Sequence, residues 1–285
     1  MSPRPDASRI ASIRQRLLDR AKAHGEDFQL VLDRYAVERL LYRLSQSSHR
    51  DEFVLKGAML FALWFDEAHR PTRDADFLGF GPPDPDHLAN MIREICTMDA
   101  DDGLRYDTDS IIVDAIREEA KYDGLRLTLP ALLGNARCTV QWDVGFGDAV
   151  TPGPVQVSYP TLLDDMPAPQ MRVYPRETVF AEKLEAIAHL GIANSRMKDY
   201  FDLLALVREG AMAPDDAAAA IAATFERRGT PSMRGLPFGL SDEFANDAQK
   251  QSQWQAFLKK SRLEAPSLEA VVAEIRDYVL LIQER

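Results

Sequence analysis

The chain has 285 residues, 46% hydrophobic and 28% charged, with a formal net charge of −11. That size and composition fit one large or two small globular domains and exclude a largely disordered chain. The acidic balance argues against general nucleic-acid binding, so any RNA contact must use a local basic patch. The two cysteines, Cys96 and Cys138, offer no disulfide framework, and the scattered histidines offer no zinc spacing. The N-terminal residues lack an apolar signal core, and no apolar run is long enough to span a bilayer. A soluble, cytoplasmic protein with no membrane partner is expected.

Helical spacing of Ile10, Ile13, Leu17 and Leu18, then of Leu30 to Leu44, predicts two N-terminal helices that end at the polar cluster 45–51. FVLK at 53–56 reads as a buried strand, Gly57 as a turn, and AMLFALWF as an apolar helix. RDADFLGF at 73–80 alternates as a strand, and a helix is expected over 85–98. Strands follow near 110–116, 124–129 and 137–146, then a proline-rich stretch with one short strand and a linker. From Arg176 the pattern is helical, over 176–190, 198–208, 213–227, 244–261 and 267–283. The elements predict a mixed sheet in an α/β or α+β domain, with a boundary near 165–175 before a helical C-terminal part.

Asp74 and Asp76 stand two apart on a strand, so both carboxylates share one face while Ala75 and Phe77 share the other. Adjacent carboxylates repel unless a cation lies between them, and hard oxygen ligands suit Mg²⁺. The bland alternative is a solvated strand end. Asp143 shares a face with Thr139 and Gln141, opposite Val140, Trp142 and Val144. A third carboxylate on a neighbouring strand would complete a two-metal clamp for phosphoryl or nucleotidyl transfer; alone, it reads as a solvated edge aspartate. Lys56, Gly57 and Ala58 lie at a strand-to-helix turn, where a backbone can approach a phosphate or simply reverse. Lys183 sits on the apolar stripe of its helix with Phe180 and Ile187, so it needs either an anion such as phosphate or a pairing with Glu182 or Glu185. Asp199 and Asp202 share a face; Asp202 can form an exposed pair with Lys198, or either aspartate can orient Lys183 or a substrate hydroxyl. Arg227, Arg228 and Arg234 read as a loop that is either merely solvated or able to hold RNA phosphates.

Taken in order, LKGAMLFAL, TRDADF, VQWDVGFGD, ETVFAEKLEAIAHLG and RMKDYFDLLAL resemble the AbiEii nucleotidyltransferase toxins. FERRGTPSM and DAQKQSQWQAFLKK also look like family segments, so the resemblance covers roughly residues 30 to 280. It implies an α+β, polymerase-β-like nucleotidyltransferase mixed sheet at 1–170, including the N-terminal helices. A helical domain at 171–285 would complete the active site. By the same resemblance Asp74, Asp76 and Asp143 are the metal ligands, and Lys183 and Asp199 join them in catalysis. Lys56, Gly57, Ala58, Thr72, Arg73, Lys183 and Asp202 would handle the nucleotide. Thr72 stands where family members carry a hydroxyl residue that an antitoxin can phosphorylate. The family commonly has a second glycine where this chain has Ala58, which leaves less room for a phosphate. The implied reaction is attack by an RNA 3′-hydroxyl, transfer RNA above all, on a nucleoside triphosphate, with two Mg²⁺ ions and a cognate antitoxin as partner. The alternatives are transfer to a small molecule such as a cationic antibiotic, and a nucleotide-binding regulator without turnover.

Overall fold

The computed structural model describes residues 7–65, 69–118, 122–231 and 235–284. The chain divides into two compact units, residues 1–147 with 155–173, and residues 148–154 with 174–285. Arg234 lies outside the described residues. Among those described, no helix is long and apolar enough to cross a membrane.

The first unit carries helices α1 (Ala7–His24), α2 (Phe28–Gln46), α3 (Phe61–Trp64) and α4 (Pro85–Cys96). Its strands are β1 (Phe53–Lys56), β2 (Asp74–Gly79), β3 (Leu104–Tyr106), β4 (Ile112–Glu118), β5 (Tyr122–Leu133), β6 (Ala136–Phe146), β7 (Val155–Ser158) and β8 (Gln170–Val173). They form one mixed sheet in the order β3-β5-β6-β2-β1-β8-β7, with β4 added on β5. A mixed sheet in the first unit and helices in the second make the α+β arrangement expected from the sequence. β2 runs parallel to β6, and β1 and β5 flank this pair antiparallel.

Alternation along the strands assigns the two faces. Leu55, Ala75, Phe77, Leu127, Trp142 and Val144 are all buried on one face. There Phe53, Phe77 and Trp142 pack ring against ring, with centroids 4.6 to 6.2 Å apart. α2 begins at Asp27, whose carboxylate caps Leu30 N, and docks on β6 where Asp33 Oδ1 accepts from Thr139 N at 2.9 Å. Burying the leucine, valine and phenylalanine side chains contributes roughly 1.5–3 kcal/mol each, so one face of each strand is committed to the core. The other face is left for polar groups.

The second unit contains α5 (Arg176–Leu190), α6 (Met197–Glu209), α7 (Pro214–Arg228), α8 (Asp242–Asn246), α9 (Ala248–Ser261) and α10 (Leu268–Gln283). The helix expected over 244–261 is interrupted at Asp247, which accepts from Lys250 N at 2.9 Å and so starts α9 afresh. Two further expectations change. The apolar helix after Gly57 opens as a 3₁₀ turn, Gly57–Leu60, followed by the single turn α3, which is too short to present a macrodipole to an anion. Strands β3 and β8 went unpredicted: β3 has only three residues, and β8 begins at the end of the proline-rich stretch that reads as a linker.

Candidate active site

The register of the four central strands sets Lys56 opposite Asp76, Asp76 opposite Asp143, and Asp143 opposite Arg126. Directly paired residues point to one face. One rank across the sheet therefore reads cation, anion, anion, cation, on the face away from the aromatic core. Asp74, two residues back on β2, shares the face. One oxygen from each of Asp74, Asp76 and Asp143 lies within 4.8 Å of the others, and all three side chains are half-buried.

Local interactions hold this cluster. Thr72 Oγ1 donates to Asp74 Oδ1 at 2.7 Å, just before the strand. Gln141 Nε2 donates to Asp143 Oδ1 at 3.4 Å. Gly57 has φ 75°, and a Cβ there would stand 2.0 Å from Asp76 Oδ2. The glycine is thus occupied by the Asp76 carboxylate. Ala58 is half-buried beside it, and Arg73 is exposed just before β2. Lys56 Nζ lies 3.8 Å from where a Cβ on Gly145 would be, placing the ammonium over β6.

Arg126 is the residue that reading the sequence missed. Its Nε donates to Asp143 Oδ1 at 2.8 Å and its Nη2 to Oδ2 at 2.6 Å. The bidentate contact to Asp143 raises the arginine's pKa, burial opposes it, and the charges of Asp143, Asp74 and Asp76 add to the rise. A signal was present in LLGNAR: Gly134 and Asn135 form a two-residue hairpin turn, with Gly134 at φ 63° and Leu133 opposite Ala136. Counting back from that turn pairs Arg126 with Asp143.

The helical unit gathers a second set. Lys183 Nζ contacts Asp202 Oδ2 at 2.6 Å and Asp199 Oδ1 at 3.0 Å, and Arg196 Nε meets Asp199 Oδ2 at 2.8 Å. Burial pushes the Asp199 carboxyl up, but Lys183 and Arg196 outweigh it and hold the group below its ordinary range. Asp202 is fully buried, so the exposed pair with Lys198 does not form. Glu182 and Glu185 both contact Arg228, which also meets Asp148; the four contacts lie between 3.0 and 3.3 Å. Arg227 and Arg228 form the last turn of α7 rather than a loop, and Arg228 is committed to these carboxylates. The reason is α-helical geometry: Glu182 and Glu185 are i and i+3 on α5 and make one acidic patch for α7 to meet.

An all-oxygen donor set, converging from two adjacent strands of a mixed sheet, is the arrangement expected of an enzyme that transfers nucleotidyl groups. The sequence matches the family described as nucleotidyl transferase AbiEii toxin, type IV TA system, over residues 39–275. The chain belongs to this family of nucleotidyltransferase toxins, and the family implies an antitoxin partner. No curated protein matches the chain. Among solved structures, a candidate nucleotidyltransferase from H. pylori aligns at 16% identity and TM-score 0.49, over 87% of this chain and 92% of its own. JHP933 from Helicobacter pylori aligns at 16% identity and TM-score 0.49, over 87% of this chain and 90% of its own. Neither likeness bears on any residue's role.

Proposed function

We propose that the chain transfers a nucleotide from a nucleoside triphosphate to the 3′ end of an RNA, transfer RNA above all, with Asp74, Asp76 and Asp143 as the ligands of Mg²⁺. The observation that carries this reading is the convergence of three carboxylate oxygens within 4.8 Å of one another, in a chain of this family. The donor set fits hard divalent ions, and one or two Mg²⁺ bound there would supply charge neutralisation at the triphosphate and at the attacking oxygen. The chain's own part is positioning. Thr72 fixes the rotamer of Asp74, Gly57 makes room for Asp76, and the strand register aligns Asp143 with Asp76. Lys56 supplies positive charge beside the acidic pair, with Ala58 and Arg73 bordering it. Lys183, Asp199 and Asp202 enter as nucleotide-handling and catalytic residues on the family resemblance. A phosphate on Thr72 would set negative charge against Asp74, which gives an antitoxin one chemical route to silence the site.

The test is transfer itself. Purified protein is incubated with labelled nucleoside triphosphates, Mg²⁺, and either total RNA or aminoglycosides. Label is expected in RNA. Label in the drug alone would reassign the acceptor, and label in neither would favour a binding protein without turnover. Asp74→Ala and Asp76→Ala should each abolish transfer. Their melting temperatures without metal should stay level or rise, because removing one of three clustered carboxylates relieves repulsion. Wild-type transfer by either variant would sink the assignment.

A further inference from the structure

Arg126 is not explained by the chemistry proposed above. Its side chain is 42% exposed, whereas Asp143, which it clasps, is 13% exposed. The carboxylate is therefore held by the sheet, while the arginine has room to move. Both oxygens of Asp143 are engaged, by Nε at 2.8 Å and Nη2 at 2.6 Å. A divalent ion on the same carboxylate would sit about 2.0–2.6 Å from those oxygens. The guanidinium and the ion would then crowd several positive charges into a few ångströms, and in a half-buried site such repulsion is weakly screened. In the ion-free state the opposite problem holds: three clustered carboxylates need a counterion, and Arg126 supplies one.

We infer that Arg126 is a resident counterion that occupies Asp143 until the carboxylate cluster takes a divalent cation, and then releases Asp143 to bind the phosphates of the nucleoside triphosphate. The inference rests on the metal-dependent nucleotidyltransferase reading. A guanidinium fork fits a phosphate as well as a carboxylate, so the released side chain exchanges one bidentate anion for another. In this scheme Arg126 makes metal loading harder without nucleotide and easier with it. It is a positioning and binding residue, coupling the two ligands.

Mn²⁺ alone is the probe, titrated calorimetrically into the wild type, Arg126→Gln, Arg126→Lys and Asp74→Asn. Arg126→Gln should bind Mn²⁺ about tenfold more tightly than the wild type, within the usual range of coupling between two sites. Arg126→Lys, which keeps the charge but loses the fork, should fall between them. With Mn²⁺ saturating, a non-hydrolysable triphosphate analogue should bind Arg126→Gln about tenfold more weakly. Mn²⁺ affinity in Arg126→Gln equal to or weaker than the wild type overturns the inference while leaving the metal site intact. Should Arg126→Gln fail to fold, Arg126→Lys carries the same comparison, and unchanged Mn²⁺ affinity there overturns it equally. Unchanged analogue affinity overturns the phosphate role. Wild-type Mn²⁺ binding that Asp74→Asn does not weaken overturns the metal-site reading itself.

Discussion

Gly57 shows how closely single residues constrain this site. An added methyl group would meet the Asp76 carboxylate at 2.0 Å, and φ 75° strains any L side chain. Gly57→Ala should therefore lower stability by about 1–3 kcal/mol and displace Asp76. Transfer should drop at least about tenfold if the shift weakens one ligand contact. Retained activity would show that Asp76 relaxes without loss. Lys183 differs from what its helical stripe alone predicted. Its ammonium sits between two buried carboxylates, at 2.6 and 3.0 Å. Lys183→Met leaves Asp202 and Asp199 short of a cation in a buried setting, so a loss of about 3–5 kcal/mol is expected. Thermal melting measures that loss, and nucleotide affinity on the same preparation reports any phosphate role separately. An unchanged melting temperature would mean that the pairing does not stabilise the helical unit.

At the scale of elements, the first unit uses a histidine–glutamate cluster to join its 3₁₀ turn at residues 48–52 to α4. His49 Nδ1 lies 2.5 Å from Glu52 Oε1, His49 Nε2 lies 3.1 Å from Glu94 Oε2, and His87 Nε2 lies 2.8 Å from Glu52 Oε2. Burial disfavours charge on His49, but the bonds to Glu52 and Glu94 outweigh it and raise its pKa above 6.5. Burial likewise pushes Glu52 up, and the bonds to His87 and His49 outweigh it and bring it below 4.5. The stabilisation from His49 is complete below 6.5 and fades as pH rises through its elevated value. That from Glu52 is complete above 4.5 and fades as pH falls through its depressed value. The cluster is thus at full strength between about 4.5 and 6.5. Melting curves across pH should show the largest gap between wild type and His49→Gln inside that window, closing toward alkaline pH. A gap that is independent of pH would count against an ionic contribution.

For the whole molecule, family membership carries a growth prediction. Expressed alone, the chain should slow bacterial growth, and a neighbouring antitoxin gene should restore it. Asp76→Ala should be harmless at equal soluble yield if toxicity comes from transfer. Normal growth with abundant soluble wild-type protein would weigh heavily against a toxin role. The net charge of −11 leaves the chain without a general basic footprint for RNA. Arg228, which the sequence offers either to solvent or to RNA phosphates, is bound to Asp148, Glu182 and Glu185.

The strands β1, β2 and β6, the common face of Asp74 and Asp76, and most of the helical C-terminal part were legible in the linear order of residues. These features depend on periods of two and 3.6, which are local. The fork between Arg126 and Asp143 was nearly as local, since the turn at Gly134–Asn135 sets the hairpin register. The convergence of Asp143 with Asp74 and Asp76 was not. β2 and β6 are parallel neighbours separated in the chain by β3, β4 and β5, and no turn fixes a parallel register. The partners of Arg228 were likewise beyond a one-dimensional reading, which also left Lys183 open between Glu182 or Glu185 on its own helix and Asp199 or Asp202 on the next. A buried charge takes whichever counterion helix packing brings within reach, and here α6 supplied Asp199 and Asp202 to Lys183 while α5 supplied Glu182 and Glu185 to Arg228. Residue spacing within a single helix carries no information about that choice.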